Sequence, residues 1–405
     1  MATYKGQKKL NVPHLRFPEF YGEWEKCKLW DIATLTKGSG ISKDQRSATG
    51  TPCILYGELY TTYKSEVIDY VVSKTDISDK NLVRSCANDI IIPSSGETAI
   101  DISTARCVLS PDVLLGGDLN IIRLKDGDGR FFSYQLNGVR KHDIAKIAQG
   151  VSVVHLYGES IKGLTVSFPS NKEQQKISTL LSLIDERIAT QSKLIEKLES
   201  LIKGIMVELQ KQGVDRGTWK KRSLGDVLSE RNERNTNLYQ VFSVSVSQGV
   251  VNQLDYLGRS FAAKDTSKYN VVHYGDLVYT KSPTGSFPYG IVKQSLNLEN
   301  VAVSPLYGVY EPKSLAVAAY LHEYFMSEIN THNYLHPLIQ KGAKNTINIT
   351  NQRFLENSVL LPINTNELLL ISKILRSLND KLKYLQDILQ KYQKQKQYLL
   401  RQMFI

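Results

Sequence analysis

The chain has 405 residues, 41% of them apolar, with 51 Lys and Arg against 40 Asp and Glu, a formal charge of +11. That length exceeds what one domain usually holds, and the apolar share is enough for real cores, so a disordered chain is excluded and two domains are expected. The positive surplus favours a polyanionic partner, because Lys and Arg neutralise phosphates and release counterions.

The N-terminal stretch MATYKGQKKLNVPHLRF lacks an apolar core of signal-peptide length, and no run approaches eighteen uninterrupted apolar residues. A soluble, cytoplasmic protein is expected. Cys27, Cys53, Cys86 and Cys107 form no C-x-x-C pair, which argues against a zinc ribbon or a disulfide framework and for buried free thiols.

In chain order, residues 1–170 read as an N-terminal segment and a mixed domain. Short β-rich runs occur at Ile54–Tyr60, Asp89–Ser95, Asn120–Leu124 and Leu164–Phe168, with a helical patch over Phe132–Ile147. A Pro-free stretch follows, and its apolar residues Ile177, Leu180, Leu181, Ile184, Ile188 and Leu194 step mostly by three, four or seven. It predicts a long helix over 171–213. Residues 214–363 repeat the mixed pattern, with β-rich runs at Tyr239–Ser247, Asp276–Ser282 and Tyr289–Ser295 and a helical patch at Leu315–Ile329. A second long helix is expected over 364–405, with a stripe of Ile371, Ile374, Leu375, Leu378, Leu382 and Ile388. Asn171 and Asn364, just after Pro169 and Pro362, are candidate N-caps.

The two halves are copies. EWEKCKLWDIA, Glu23–Ala33, aligns with TWKKRSLGDVL, Thr218–Leu228, which matches Trp24 to Trp219 and Asp31 to Asp226. Asn88–Ile92 echoes Gly275–Tyr279, Ile147–Gly150 echoes Ile339–Gly342, and Val166–Asn171 echoes Val359–Asn364. Each helix would be about 55–60 Å long, too long to bury its stripe on a small domain alone, so the two are expected to pack on each other. The expected fold class is α+β: two mixed globular domains separated by two long helices packed as an antiparallel coiled coil, related by a pseudo-twofold repeat.

The polar, Gly-rich loops carry the candidate binding chemistry. Lys and Arg suit phosphates, Asn, Gln, Arg and Ser suit base edges, and Gly allows close backbone approach. In the first domain these are Lys37, Ser39, Lys43, Arg46, Tyr60, Tyr63, Lys64, Ser95 and Thr98. In the second they are Lys281, Ser282, Thr284, Ser286, Lys341, Lys344, Asn345, Thr346 and Arg353. No G-x-x-x-x-G-K-[ST] phosphate loop is present, and no Asn-Pro-Pro or Asp-Pro-Pro precedes an aromatic as an amino-methyltransferase would need. His332 and His336 have metal-ligand spacing but neither an intervening H-E-x-x-H glutamate nor a third ligand, so no metal and no catalysis are expected. A non-enzymatic coiled-coil scaffold with two protein-binding domains stands as the alternative.

These residues resemble a known family, the specificity subunits of type I restriction-modification systems. The resemblance rests on the opening VPHLRFPEFYGEWEKCKLWDIA and on FPSNKEQQKISTLLSLIDERI, with Glu173–Ile177 and Leu183–Asp185 at the start of the first long helix. The second copy keeps Pro362 and the stripe, lacks the Glu-Gln-Gln run, and has Asn379 in place of Asp185. The resemblance implies that each globular domain is a target recognition domain reading one half of a bipartite, asymmetric site in double-stranded DNA. The helices would set the spacing and dock two methyltransferase subunits, with motor-nuclease subunits joining the complex. S-adenosylmethionine, ATP and Mg would bind only those partners.

Overall fold

The computed structural model describes residues 10–78, 81–259, 262–341 and 347–405. The chain divides into two compact units, Met1–Lys193 with Asp387–Ile405, and Leu194–Gln386. Both dividing points fall inside a long helix, Asn171–Asp215 or Thr365–Gln402.

In the first unit, a five-stranded sheet runs in the order Ala33–Lys37, Leu119–Leu124, Asp89–Pro93, Arg106–Val108, Val67–Ile68, antiparallel except for its last pair. The Ile90–Ile92 run is buried on both faces, which explains why it reads as continuous apolar sequence rather than an alternation. A separate ribbon pairs Glu25–Lys28 with Thr165–Phe168 and leads directly into the first long helix. The core joins Trp24, Phe131, Phe132, Ile177, Leu181 and Ile184 to Leu399, Leu400, Met403 and Phe404 from the end of the second long helix.

Within the first unit, the end of the second long helix runs antiparallel to the start of the first. Asp185 meets Lys396, whereas farther along Gln402 accepts a hydrogen bond through its carbonyl from Leu15 N (2.8 Å), beside Arg16, which binds Glu173. Later residues of one helix thus lie against earlier residues of the other.

In the second unit, Leu228–Glu230, Gly308–Pro312, Leu277–Thr280 and Ile291–Gln294 form an antiparallel sheet in that order. Trp219–Ser223 pairs with Ser358–Pro362 and leads into the second long helix, repeating the ribbon of the first unit. Met206, Ile202 and Leu209 pack with Trp219, Tyr320, Phe354, Leu368, Ile371 and Leu375.

The repeat is chemical as well as topological. Trp24 Nε1 donates to Glu173 at 3.4 Å, and Trp219 Nε1 donates to Glu367 at 2.8 Å. Of the Glu-Gln-Gln run, the second copy therefore keeps the glutamate that anchors the tryptophan. Asp89 accepts from Cys86 N and from two nitrogens of Arg123 (2.7 and 2.8 Å), and Asp276 accepts from His273 N and from two nitrogens of Arg231 (2.6 and 3.0 Å).

Several expectations change in detail. Asn364 caps its helix, accepting from Asn366 N at 2.8 Å, but Asn171 lies within the first turn and donates its amide to Asp126 instead. Ile54–Tyr60 is not one strand, because Thr51–Ile54 is extended while Glu58–Thr61 forms a helical turn. The Phe132–Ile147 patch is two helices, Gly129–Asn137 and Lys141–Ile147, interrupted at Gly138. Cys53 and Cys107 are buried and Cys27 is half-buried, but Cys86 is exposed.

Of the stripe residues, Ile177, Leu181, Ile184, Ile371 and Leu375 are buried, and Leu180, Ile188, Leu378, Leu382 and Ile388 are half-buried. Leu194 and Ile374 are each 46% exposed. The seam advances by alternating fours and threes through Ile184, Ile188, Gln191, Ile195 and Leu198, so Ile195 takes the inward place expected of Leu194. Among the described residues, no helix is long and apolar enough to cross a membrane.

Candidate nucleic-acid interface

In the first unit the Gly-rich loop after Ala33–Lys37 folds over a cleft of about 1080 Å³. Gly38 fixes the base of this loop, since a Cβ there would stand 2.0 Å from the carbonyl oxygen of Gly116. Lys43 and Gln45 lie in a 3-10 turn at the cleft rim, with Arg46 just after it. Tyr56, Thr61 and Thr62 also line it. Arg46 reaches to 3.7 Å from Glu58, whose buried carboxylate is already occupied by Leu55 N and by the Ser73 hydroxyl. Gln45 Oε1 accepts from Ser42 N, Arg46 Nε donates to the Lys43 carbonyl, and the Thr61 hydroxyl donates to the Gly57 carbonyl. The remaining donors of these side chains share one concave surface with Lys43 and Thr62, a set that suits phosphate oxygens and base edges.

Other candidates are placed differently. Lys37 is exposed at a strand end, paired through its backbone with Asn120. Ser39 spends its hydroxyl accepting from Val83 N at 2.7 Å. Tyr63 is buried, its hydroxyl accepts from Val72 N at 3.2 Å, and burial pushes its pKa up to about 12. Tyr60 is half-buried, and burial likewise raises its pKa. Lys64 is exposed and donates to the Thr61 carbonyl at 3.0 Å. Ser95 is buried in a short strand against His155. Thr98 caps the turn Ala99–Ile102 and bonds with Asp101.

In the second unit, Lys281, Ser282, Thr284 and Ser286 share the loop between Leu277–Thr280 and Ile291–Gln294. The loop closes at Gly290, where φ is +94° and a Cβ would stand 1.8 Å from the Thr280 carbonyl oxygen. Thr284 and Phe287 exchange backbone hydrogen bonds of 3.0 Å, which make a rigid inner turn. Lys281 is half-buried and its pKa is lowered by burial, partly offset by Glu230. Ser282 is exposed and accepts through its carbonyl from the Thr284 hydroxyl. The Ser286 hydroxyl donates to Glu328. Arg353 is half-buried and its Nε is taken by the Leu338 carbonyl at 2.8 Å. Lys341 lies in a short strand paired with Ile347. Lys344, Asn345 and Thr346 lie outside the described residues.

Sequence reading missed two features. Gln45, Thr61 and Thr62 join Lys43 and Arg46 only through folding. Tyr289, His332 and His336 form a ring cluster beside the second loop. The two imidazoles are stacked at 5.2 Å with planes 12° apart, and Tyr289 lies 5.2 and 5.8 Å from them. The i, i+4 histidine spacing was the visible signal, but the rings stack on each other and on a phenol. Among the described residues, no group of three or more His, Cys, Asp or Glu could hold a metal ion.

Residues 21–200 match the family described as the type I restriction modification DNA specificity domain. Two relatives come from Methanocaldococcus jannaschii. The type I restriction enzyme MjaVIII specificity subunit is 25% identical over 235 residues, 56% of this chain and 51% of that protein. The putative type I restriction enzyme MjaX specificity subunit is 26% identical over 233 residues, 54% and 53% respectively. The chain spans about half the length of these curated relatives. In fold it is similar to the type-I restriction-modification system S subunit from M. genitalium, with a TM-score of 0.66, 15% identity, and coverage of 97% of this chain and 99% of that one. Residues 21–200 thus match the type I restriction modification DNA specificity domain family, and the chain shares the fold of the S subunit from M. genitalium.

Proposed function

We propose that this chain is the sequence-specific DNA-binding subunit of a type I restriction-modification complex and performs no chemistry itself. Residues 1–170 and 214–363 each read one half of a bipartite, asymmetric target. The helices 171–213 and 364–405 set the spacing and dock two methyltransferase subunits, through which motor-nuclease subunits join. S-adenosylmethionine, ATP and Mg bind those partners, and the complex works in the cytoplasm.

The observation that carries this reading is a duplicated frame bearing unlike loops. The Trp–Glu anchor recurs in both units. The buried aspartate recurs with an arginine supplied from a different place, Leu119–Leu124 in the first unit and just after Leu228–Glu230 in the second. The surfaces mounted on them differ. One is a cleft with Lys43, Gln45 and Arg46, and the other is a tight loop with Lys281, Ser282 and Thr284 beside stacked rings. Unlike surfaces on like frames suit two different half-sites.

The test is binding of the chain, together with its methyltransferase subunits, to DNA carrying the split motif that the complex methylates. Substitutions in the first-unit cleft should relax or weaken recognition of one half-site and leave the other half-site intact. Loss of discrimination at both halves from a single-unit substitution would refute the division of labour.

A further inference from the structure

Lys396 occupies an inward seam position of the second long helix, in step with Tyr392, Leu399 and Met403. Its side chain is 11% exposed and lies between two carboxylates, Glu66 and Asp185, which are 10% and 9% exposed. The ammonium pairs with Glu66 and lies 2.5 Å from Asp185 Oδ1. It also stands over the Tyr134 ring, 5.7 Å from the centroid. Asp185 is fully engaged, since Oδ2 accepts from the Tyr134 hydroxyl at 2.8 Å and from the Ser65 hydroxyl at 2.9 Å. Arg106, which attracts both carboxylates, spends its N–H groups on the carbonyls of Leu59, Tyr63 and Ala105, and the half-buried Lys141 attracts Glu66 without pairing with it. Burial works against the charge on Lys396, and Glu66 and Asp185 more than offset it, so its pKa lies above the usual lysine value.

The second unit has no such arrangement at the matching place. The step that carries Asp185 onto Asn379 carries Ile202 onto Lys396. Asn379 donates its amide to Glu323, and Ile202 packs in the apolar core. The two helix ends are alike in their apolar stripes and differ here in charge. An end presenting isoleucine to Glu66 and Asp185 would leave two buried carboxylates without a directly bonded cation, with Arg106 and Lys141 attracting them from farther away, which is unfavourable. A lone polar residue at a seam position fixes partner and register in this way in paired helices.

We propose that Glu66 and Asp185 form a lysine-reading slot that selects the chain's own C-terminal helix as the partner of the first unit and rejects the otherwise similar end of the first long helix, including that of a second copy. The slot concerns assembly of the chain and is independent of any reading of DNA.

The test uses the full chain and hydrogen exchange. Lys396→Ile copies the end that the slot should reject, and Lys396→Met keeps the aliphatic stem while removing the charge. Both should lower amide protection in 387–405 by about 100-fold or more, with 365–380 unchanged. In a Glu66→Gln, Asp185→Asn background, Lys396→Ile should retain protection to within about tenfold of that background. If Lys396→Ile or Lys396→Met protects 387–405 as well as wild type, the slot does not select. If the neutral background fails to rescue Lys396→Ile while itself remaining folded, lysine acts by packing, and the proposal is overturned.

Discussion

Replacing Asp89 or Asp276 by Asn perturbs equivalent anchors in the two units. Each carboxylate is 1% exposed and accepts two guanidinium hydrogen bonds together with a backbone amide three residues upstream. A hydrogen bond to a charged group contributes about 1.5–3 kcal/mol. Arg123 is 43% exposed and regains water when its partner is neutralised, which pulls the loss toward the lower end. Arg231 is only 14% exposed but keeps Glu311 at 3.2 Å and Glu233 at 3.9 Å as substitute partners. Asp89→Asn should therefore cost about 2 kcal/mol and Asp276→Asn about 1 kcal/mol, the latter less because burial outweighs the partners of Asp276 and raises its pKa, each in its own unit. Hydrogen exchange resolved by segment measures this directly. Asp89→Asn should lower protection of Ile90–Ile92 and Leu119–Leu124, and Asp276→Asn that of Leu277–Thr280 and Gly308–Pro312. If both substitutions lowered protection equally throughout the chain, or if one were silent, the two anchors would not be equivalent and the duplicated frame would lose its physical basis.

Three further outcomes are expected. Alanine at Lys43 or Arg46 should weaken binding to the split motif, and a residue contacting phosphate should reduce the salt slope by about 1, while one reading a guanine should cost about 1–3 kcal/mol at that base only. Tyr63→Phe should leave DNA binding unchanged while lowering thermal stability by about 1 kcal/mol, because the hydroxyl serves Val72 N inside the first unit. Burial raises the Glu323 pKa to about 7, despite opposing contributions from Asn379, Arg376 and Lys293. A carboxyl raised in the folded state contributes stability that is complete below its unfolded value near 4.5 and is lost as pH rises through about 7. Glu323→Gln should thus raise the urea midpoint more at pH 8 than at pH 5, and an equal effect at both would contradict the assignment.

Much of the frame could be read from the chain because it is written in apolar spacing and in repeated single residues. Trp24 and Trp219, Asp89 and Asp276, and the stripes from Ile177 and Ile371 align without any knowledge of contacts. The candidate binding surfaces were only partly legible. Ser39 and Tyr63 have the composition of binding residues, yet their hydroxyls accept from Val83 N and Val72 N, and Arg353 gives its Nε to the Leu338 carbonyl. A residue type states what a side chain is able to donate or accept, and only the fold decides whether the partner is internal. Lys396 shows the converse. A lysine near a helix end reads as solvated surface, and only the antiparallel pairing brings it between Glu66 and Asp185. Leu194 was misplaced because Leu194 and Ile195 are both apolar, and the seam takes whichever continues the alternation of threes and fours.

The most direct test of the central claim is a map of methylated adenines in cells carrying this chain with its methyltransferase partners, compared with cells in which the first-unit cleft carries Lys43→Ala and Arg46→Ala. The account predicts a split motif with two unlike halves that disappears when the chain is removed, and in the cleft variant a motif degraded in one half and unchanged in the other. An unsplit motif, or a split motif indifferent to the chain, would contradict it.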